Sequence, residues 1–127
     1  MADVPQLFAA LHQAAQTRAY VTRLDLLAVG QAILKARLYL KPDLFVQVYR
    51  NDKFQTTNFV LIHAGQRIYA RDELAGAWHR HPVDDTDLHD RSPEGQQRVS
   101  LEEFLDEIEQ IVTDPQSVMR NFTQGGS

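Results

Sequence analysis

QAILKARLYLKPDLFVQVYR, residues Gln31 to Arg50, decides the fold class. In it Leu34, Ala36, Leu38 and Leu40 alternate with Lys35, Arg37 and Tyr39; further on, Leu44, Val46 and Val48 alternate with Phe45, Gln47 and Tyr49. Side chains of an extended chain point to opposite faces with a period of two, so each run reads as a strand with one apolar face. Lys41-Pro42-Asp43 between them is a turn, because proline presets φ for its first central position and Asp favours the position beside it. Strands joined so closely pair antiparallel, since parallel neighbours need a long crossover.

Outward from this hairpin, Tyr20 to Val29 is expected as a strand ending at Gly30, although Leu24, Leu27, Ala28 and Leu34 also fit a helical spacing. The strand that follows is placed at Gln31 to Leu40, and the next at Leu44 to Arg50. A polar loop, Asn51 to Thr56, leads to strands at Thr57 to His63 and Arg67 to Arg71, joined by a tight Ala64-Gly65 hairpin. Val4, Leu7, Phe8 and Leu11 recur at helical spacing and Asp3 stands three residues before Gln6, which predicts a capped helix over Val4 to Thr17. Ser100 and Glu103 form a second capping box ahead of the stripe Leu101, Phe104, Leu105, Ile108, Ile111 and Val112, and Pro115 ends that helix near Asp114. Asp72 to Arg98, polar and broken by Pro82 and Pro93, reads as one long loop. The expected fold is therefore α+β: an antiparallel meander of four to five strands packed with an N-terminal and a C-terminal helix. Leu34, Leu38, Val46, Val48, Phe104, Leu105 and Ile108 should form its core. Residues 1–115 form the single predicted domain, and 116–127 a tail with a turn of helix at Val118 to Phe122.

A chain of 127 residues, 43% hydrophobic and 24% charged, suits one ordinary globular domain. The absence of cysteine excludes disulfides, thiolate metal sites and a cysteine nucleophile, and fits a reducing cytoplasm. Leu26 to Leu34 is far shorter than the ~20 apolar residues that cross a bilayer, and Met1 to Pro5 does not open like a secretory leader, so the expectation is a soluble, cytoplasmic protein without membrane contact. Charge is uneven: Arg18 to Arg98 holds twelve Lys and Arg against ten Asp and Glu, whereas Val99 to Ser127 holds one Arg against six acids. A mildly basic middle can meet phosphate while the acidic final helix stays clear of it.

Three of the five histidines fall in Trp78-His79-Arg80-His81-Pro82-Val83-Asp84-Asp85-Thr86-Asp87-Leu88-His89-Asp90. The extended conformation that Pro82 imposes on His81 puts the His79 and His81 rings on the same side of the chain. RNA cleavage needs a base, an acid and a cation at phosphorus; imidazoles titrate near neutrality and arginine matches phosphate. The candidates are catalytic His79, His81 and Arg71, with Arg80, Arg67, Lys35 and Arg37 as RNA and phosphate contacts. The spacing matches no strong metal motif, so no metal is expected; the lesser reading is a divalent ion at His79, His81 and His89, or with a carboxylate from Asp84, Asp85, Asp87 or Asp90 in place of His89. His12 reads as a surface residue and His63 as a satisfied, half-buried one, while Trp78 and Tyr69 serve either the core or base stacking. Phosphate-cradling glycine loops, a Gly-x-Ser-x-Gly elbow and a His-Glu-x-x-His helix are all absent.

Phe59-Val60-Leu61-Ile62-His63, Ile68-Tyr69-Ala70-Arg71-Asp72, Trp78-His79-Arg80-His81-Pro82 and Ser100-Leu101-Glu102-Glu103-Phe104-Leu105-Asp106-Glu107-Ile108 together resemble the TumE family of toxin-antitoxin proteins. The resemblance runs from about residue 20 to 112. Where the family carries paired His-His clusters, this chain has His79 and His81 split by Arg80, with His89 apart. The resemblance implies an antiparallel sheet closed by an acidic helix, a prokaryotic toxin acting on RNA or translation, and a helix-turn-helix antitoxin as partner. The rival expectation is a non-enzymatic protein-interaction module working as a homodimer.

Overall fold

The computed structural model describes residues 3–113. Helix α1 spans Val4–Thr17 and begins at the expected capping box: Asp3 Oδ1 accepts from the Gln6 amide at 3.0 Å, and Gln6 Oε1 accepts from the Asp3 amide at 3.2 Å. Six strands follow, β1 (Arg23–Val29), β2 (Ile33–Lys41), β3 (Leu44–Asn51), β4 (Thr56–His63), β5 (Gln66–Leu74) and β6 (Ala77–His81), then helix α2 (Leu101–Thr113). The strands form one antiparallel sheet in sequence order. In the second capping box Glu103 Oε1 accepts from the Ser100 amide at 2.8 Å, and Ser100 Oγ accepts from the Glu103 amide at 3.1 Å. Among the described residues no helix is long and apolar enough to cross a membrane.

The α+β meander with its two helices matches the sequence reading, and Tyr20 to Val29 resolves to a strand from Arg23. The strand count is corrected from four or five to six. Asp72 to Leu74 extend β5 and Ala77 to His81 form β6, all inside the segment expected as a loop. Two physical facts overturn that expectation. Ala75 and Gly76 both take positive φ, 51° and 86°, which builds the same two-residue hairpin turn as Ala64 and Gly65 at 50° and 80°. Four of the polar residues that argued for solvent, Asp72, Glu73, His79 and His81, are buried instead, each with a partner. The expected turn of helix at Val118 to Phe122 and the 116–127 tail lie outside the described residues.

The cross-strand register divides the sheet into two unlike faces. On the inner face Leu34, Ala36 and Leu38 of β2 meet Leu44, Val46 and Val48 of β3, then Phe59 and Leu61 of β4 and Tyr69 of β5. Both helices cover this side, with Leu7 and Leu11 of α1 and Leu101, Phe104, Leu105 and Ile108 of α2 in the same core cluster. All seven residues expected as core are fully buried. The Phe104 ring sits 5.5 Å from Phe59 and 5.7 Å from Tyr69, tying α2 to β4 and β5.

The inner face ends in a buried ion pair. Arg50 Nη1 donates to Glu73 Oε1 and to Thr57 Oγ1, each at 2.9 Å, and Thr57 Oγ1 donates to the same carboxylate oxygen at 2.8 Å. Glu73→Ala takes away the buried acceptor of Nη1 and leaves Arg50 its Nε bond to Asp52 at 2.8 Å, so it is expected to cost about 1–3 kcal/mol in urea unfolding. Asp87→Ala, at a side chain 97% exposed, should change stability by less than about 0.5 kcal/mol. Equal effects for the two would show that Glu73 carries no such role.

Candidate functional site

Among the described residues, both helices lie on the inner side of the sheet and none on its outer face. One cross-strand row reads Asp25, Arg37, Gln47, Val60, Ala70 and His81 from β1 to β6, and its neighbour reads Ala28, Lys35, Tyr49, Asn58, Asp72 and His79. His79 and His81, two apart on β6, therefore stand on the same face as Asp72, which the β5–β6 turn sets directly opposite His79. All three residues are buried: His79 is 4%, His81 2% and Asp72 8% exposed.

Their polar atoms converge on one point. His79 Nε2 lies 3.2 Å from His81 Nε2, while Asp72 Oδ2 lies 3.5 Å from the first and 3.2 Å from the second. His81 Nδ1 is 2.8 Å from the Thr86 carbonyl oxygen, which can only accept, so this nitrogen carries a proton and Nε2 is the one turned toward Asp72 and His79. Asn58 Nδ2 donates to Asp72 Oδ1, leaving Oδ2 for the histidines. Burial pushes the Asp72 carboxyl above its ordinary value, a shift that positive charge on His81 and His79 would oppose. Burial also lowers His79, which favours its neutral imidazole. This donor set of two imidazoles and a carboxylate could hold a metal ion.

The loop after β6 folds back over the group. The His89 ring stacks on His79 at 5.0 Å and meets His81 edge-on at 4.7 Å. Arg80 exchanges both backbone hydrogen bonds with Asp90, and its Nε and Nη2 donate to Asp90 Oδ2 at 2.8 and 2.5 Å. Arg67 Nη2 donates to the Thr86 carbonyl at 2.7 Å. Gly95 packs against the same turn so closely that a Cβ there would lie 2.2 Å from the Asp90 carbonyl oxygen.

The other expected site residues separate by face. Arg71 is on the inner face, where Nε and Nη2 grip Glu107 of α2 at 3.0 and 2.5 Å and Nη1 donates to the Glu94 carbonyl at 2.6 Å. It belongs to the helix contact and stands away from the two histidines, because adjacent residues of a strand point to opposite sides. Arg80, opposite Arg71, is likewise committed to Asp90 and the loop rather than to an incoming phosphate. Lys35, Arg37 and Arg67 do lie on the outer face or its rim. Arg37 bonds Gln47 Oε1 at 3.1 Å and lies 4.6 Å over the Phe45 ring, which in turn sits 5.1 Å from Tyr39 under Arg23. Trp78 and Tyr69 pack on the inner side, beside Phe59 and Phe104 respectively. His12 is exposed on α1, and His63 is half-buried with Nε2 3.6 Å from Asp43.

The third donor is Asp72, whereas the sequence reading offered His89, Asp84, Asp85, Asp87 or Asp90. Of those carboxylates the first three are exposed and Asp90 faces Arg80. Asp72 was readable in principle, because a two-residue turn at Ala75-Gly76 sets Leu74 opposite Ala77 and hence Asp72 opposite His79; Asn58 was not, because a register shift between Leu61 and Ile62 is what brings it opposite Asp72. The chain matches no protein-family model, no curated protein and no solved structure.

The loop clamp has a pH signature. The Ser92 amide, the Ser92 side chain and Arg80, in that order of weight, hold the Asp90 carboxyl down to about 2. Stability from ionised Asp90 is therefore complete above the ordinary carboxylate value and is lost as pH falls through about 2. Carboxyl NMR should place the Asp90 titration there and move it upward in Ser92→Ala; an Asp90 that titrates at the ordinary value would break the clamp.

Proposed function

We propose that the protein is a toxin-like endoribonuclease that acts on RNA in the cytoplasm, with its reactive centre at Asp72, His79 and His81. The observation that carries this reading is the pair of cross-strand rows linking Arg37 to His81 and Lys35 to His79 across the face opposite α1 and α2. Strands lie ~4.8 Å apart, so each row spans about 19 Å, a length suited to a few unpaired nucleotides. Along it Tyr39, Phe45 and Tyr49 offer rings for base stacking, and Arg37 and Lys35 offer charge for phosphate. The acids of α2 lie behind the sheet, away from that path.

Phosphodiester cleavage needs an activated nucleophile and an offset for charge developing at phosphorus. The imidazoles and carboxylate supply the first, and Arg67 at the rim supplies the second in place of Arg71. The TumE resemblance adds a helix-turn-helix antitoxin as the expected protein partner. Exposed apolar residues at the sheet edge, Leu26, Leu27, Val29 and Ile33, favour one other reading, a homodimeric interaction module without catalysis.

Induced expression in a bacterial host should arrest growth, and a folded His79→Ala/His81→Ala double variant should not. Purified wild type should cleave single-stranded RNA, and Phe45→Ala should weaken RNA binding by about 1–3 kcal/mol. RNA left intact by wild type across metal and pH conditions overturns the reading. A wild-type dimer that Leu27→Asp dissociates, with growth unaffected by either histidine, would install the interaction module instead.

A further inference from the structure

We infer that Asp72, His79 and His81 bind one divalent transition-metal ion of the zinc class, through Oδ2, Nε2 and Nε2 respectively. Use of that ion on RNA rests on the function proposed above; its binding does not. The three donor atoms form a triangle with sides of 3.2, 3.2 and 3.5 Å. A tetrahedral ion at 2.0–2.1 Å from nitrogen and oxygen sets its ligands about 3.3–3.4 Å apart, so the triangle is already one face of such a site.

The hydrogen-bond partners point the same way. With Nδ1 of His81 donating to the Thr86 carbonyl, Nε2 is the ring nitrogen turned toward Asp72 Oδ2, at 3.2 Å. A divalent cation there would take the place of the proton that Nε2 and Oδ2 otherwise share. The outer partners are those a metal ligand has: a backbone carbonyl fixes the His81 tautomer, and Asn58 fixes the carboxylate. Two imidazoles select zinc-like ions over magnesium or calcium, which prefer all-oxygen shells. Three protein donors are one fewer than a tetrahedral zinc takes, so the ion would carry a water, the arrangement that supplies a nucleophile near neutral pH.

The test uses the full, tag-free chain, stripped with a chelator and titrated with Zn2+ by calorimetry, with bound metal counted by mass spectrometry. One ion per chain is expected, unaffected by millimolar Mg2+. His81→Ala should lower Zn2+ affinity more than 100-fold and Asn58→Ala by about 10–100-fold, while His63→Ala leaves it unchanged. Circular dichroism of each zinc-free variant establishes that it is folded. Wild type without saturable Zn2+ binding, or folded His81→Ala and Asn58→Ala that bind like wild type, overturns the site. Zinc bound at the site with RNA left intact keeps the site and removes the RNA reading. RNA cleavage by a chain that binds no zinc removes the site and keeps that reading.

Discussion

Arg71, Asp72 and Glu73 are consecutive, ionisable and all buried in β5, and the rest of the structure is arranged around satisfying them. Buried charges persist only when paired and hydrogen-bonded. Alternation sends Arg71 and Glu73 to the inner face, where Glu107 of α2 and Arg50 of β3 meet them, and sends Asp72 to the outer face, where Asn58, His79 and His81 meet it. A slip of one residue in the β4–β5 or β5–β6 pairing would exchange the faces and strand every one of these charges. The register that protects the fold is thus the register that assembles the site, and α2 is docked by the same strand that supplies the third donor.

The sheet was largely legible in the sequence, because β2 and β3 alternate cleanly and their turn carries proline and aspartate. Both capping boxes were readable for a similar reason, since reciprocal side-chain bonds need only residues three apart. The sixth strand was not. Alternation assigns polar residues to solvent, yet here His79, His81, Asp72 and Glu73 are interior, with Asp72 and Glu73 partnered by Asn58 and Arg50 on earlier strands and the histidines by Asp72, Thr86 and each other. Ala75-Gly76 repeats the Ala64-Gly65 turn and was the overlooked signal. The histidine pair itself was legible from its spacing of two, which places both rings on one face whether the segment is loop or strand. Arg71 was misplaced because its neighbour in sequence, Asp72, is the residue that shares the histidines' face.

Separation of the faces gives the molecule its chemical polarity. The helix side is apolar and carries the acids of α2, while the open side carries Lys35, Arg37, three aromatic rings and the buried donor triangle. Arg80, which a sequence reading treats as a phosphate ligand, instead tethers the covering loop at Asp90, and one Arg67 bond to the Thr86 carbonyl helps keep His89 against the pair.

One buried carboxylate and two imidazoles point at a single cation position, as anomalous diffraction at the zinc edge from crystals grown with Zn2+ can test. One strong peak is expected about 2.0–2.2 Å from His79 Nε2, His81 Nε2 and Asp72 Oδ2. A peak elsewhere, such as between His63 and Asp43, with no density at the triangle would contradict it.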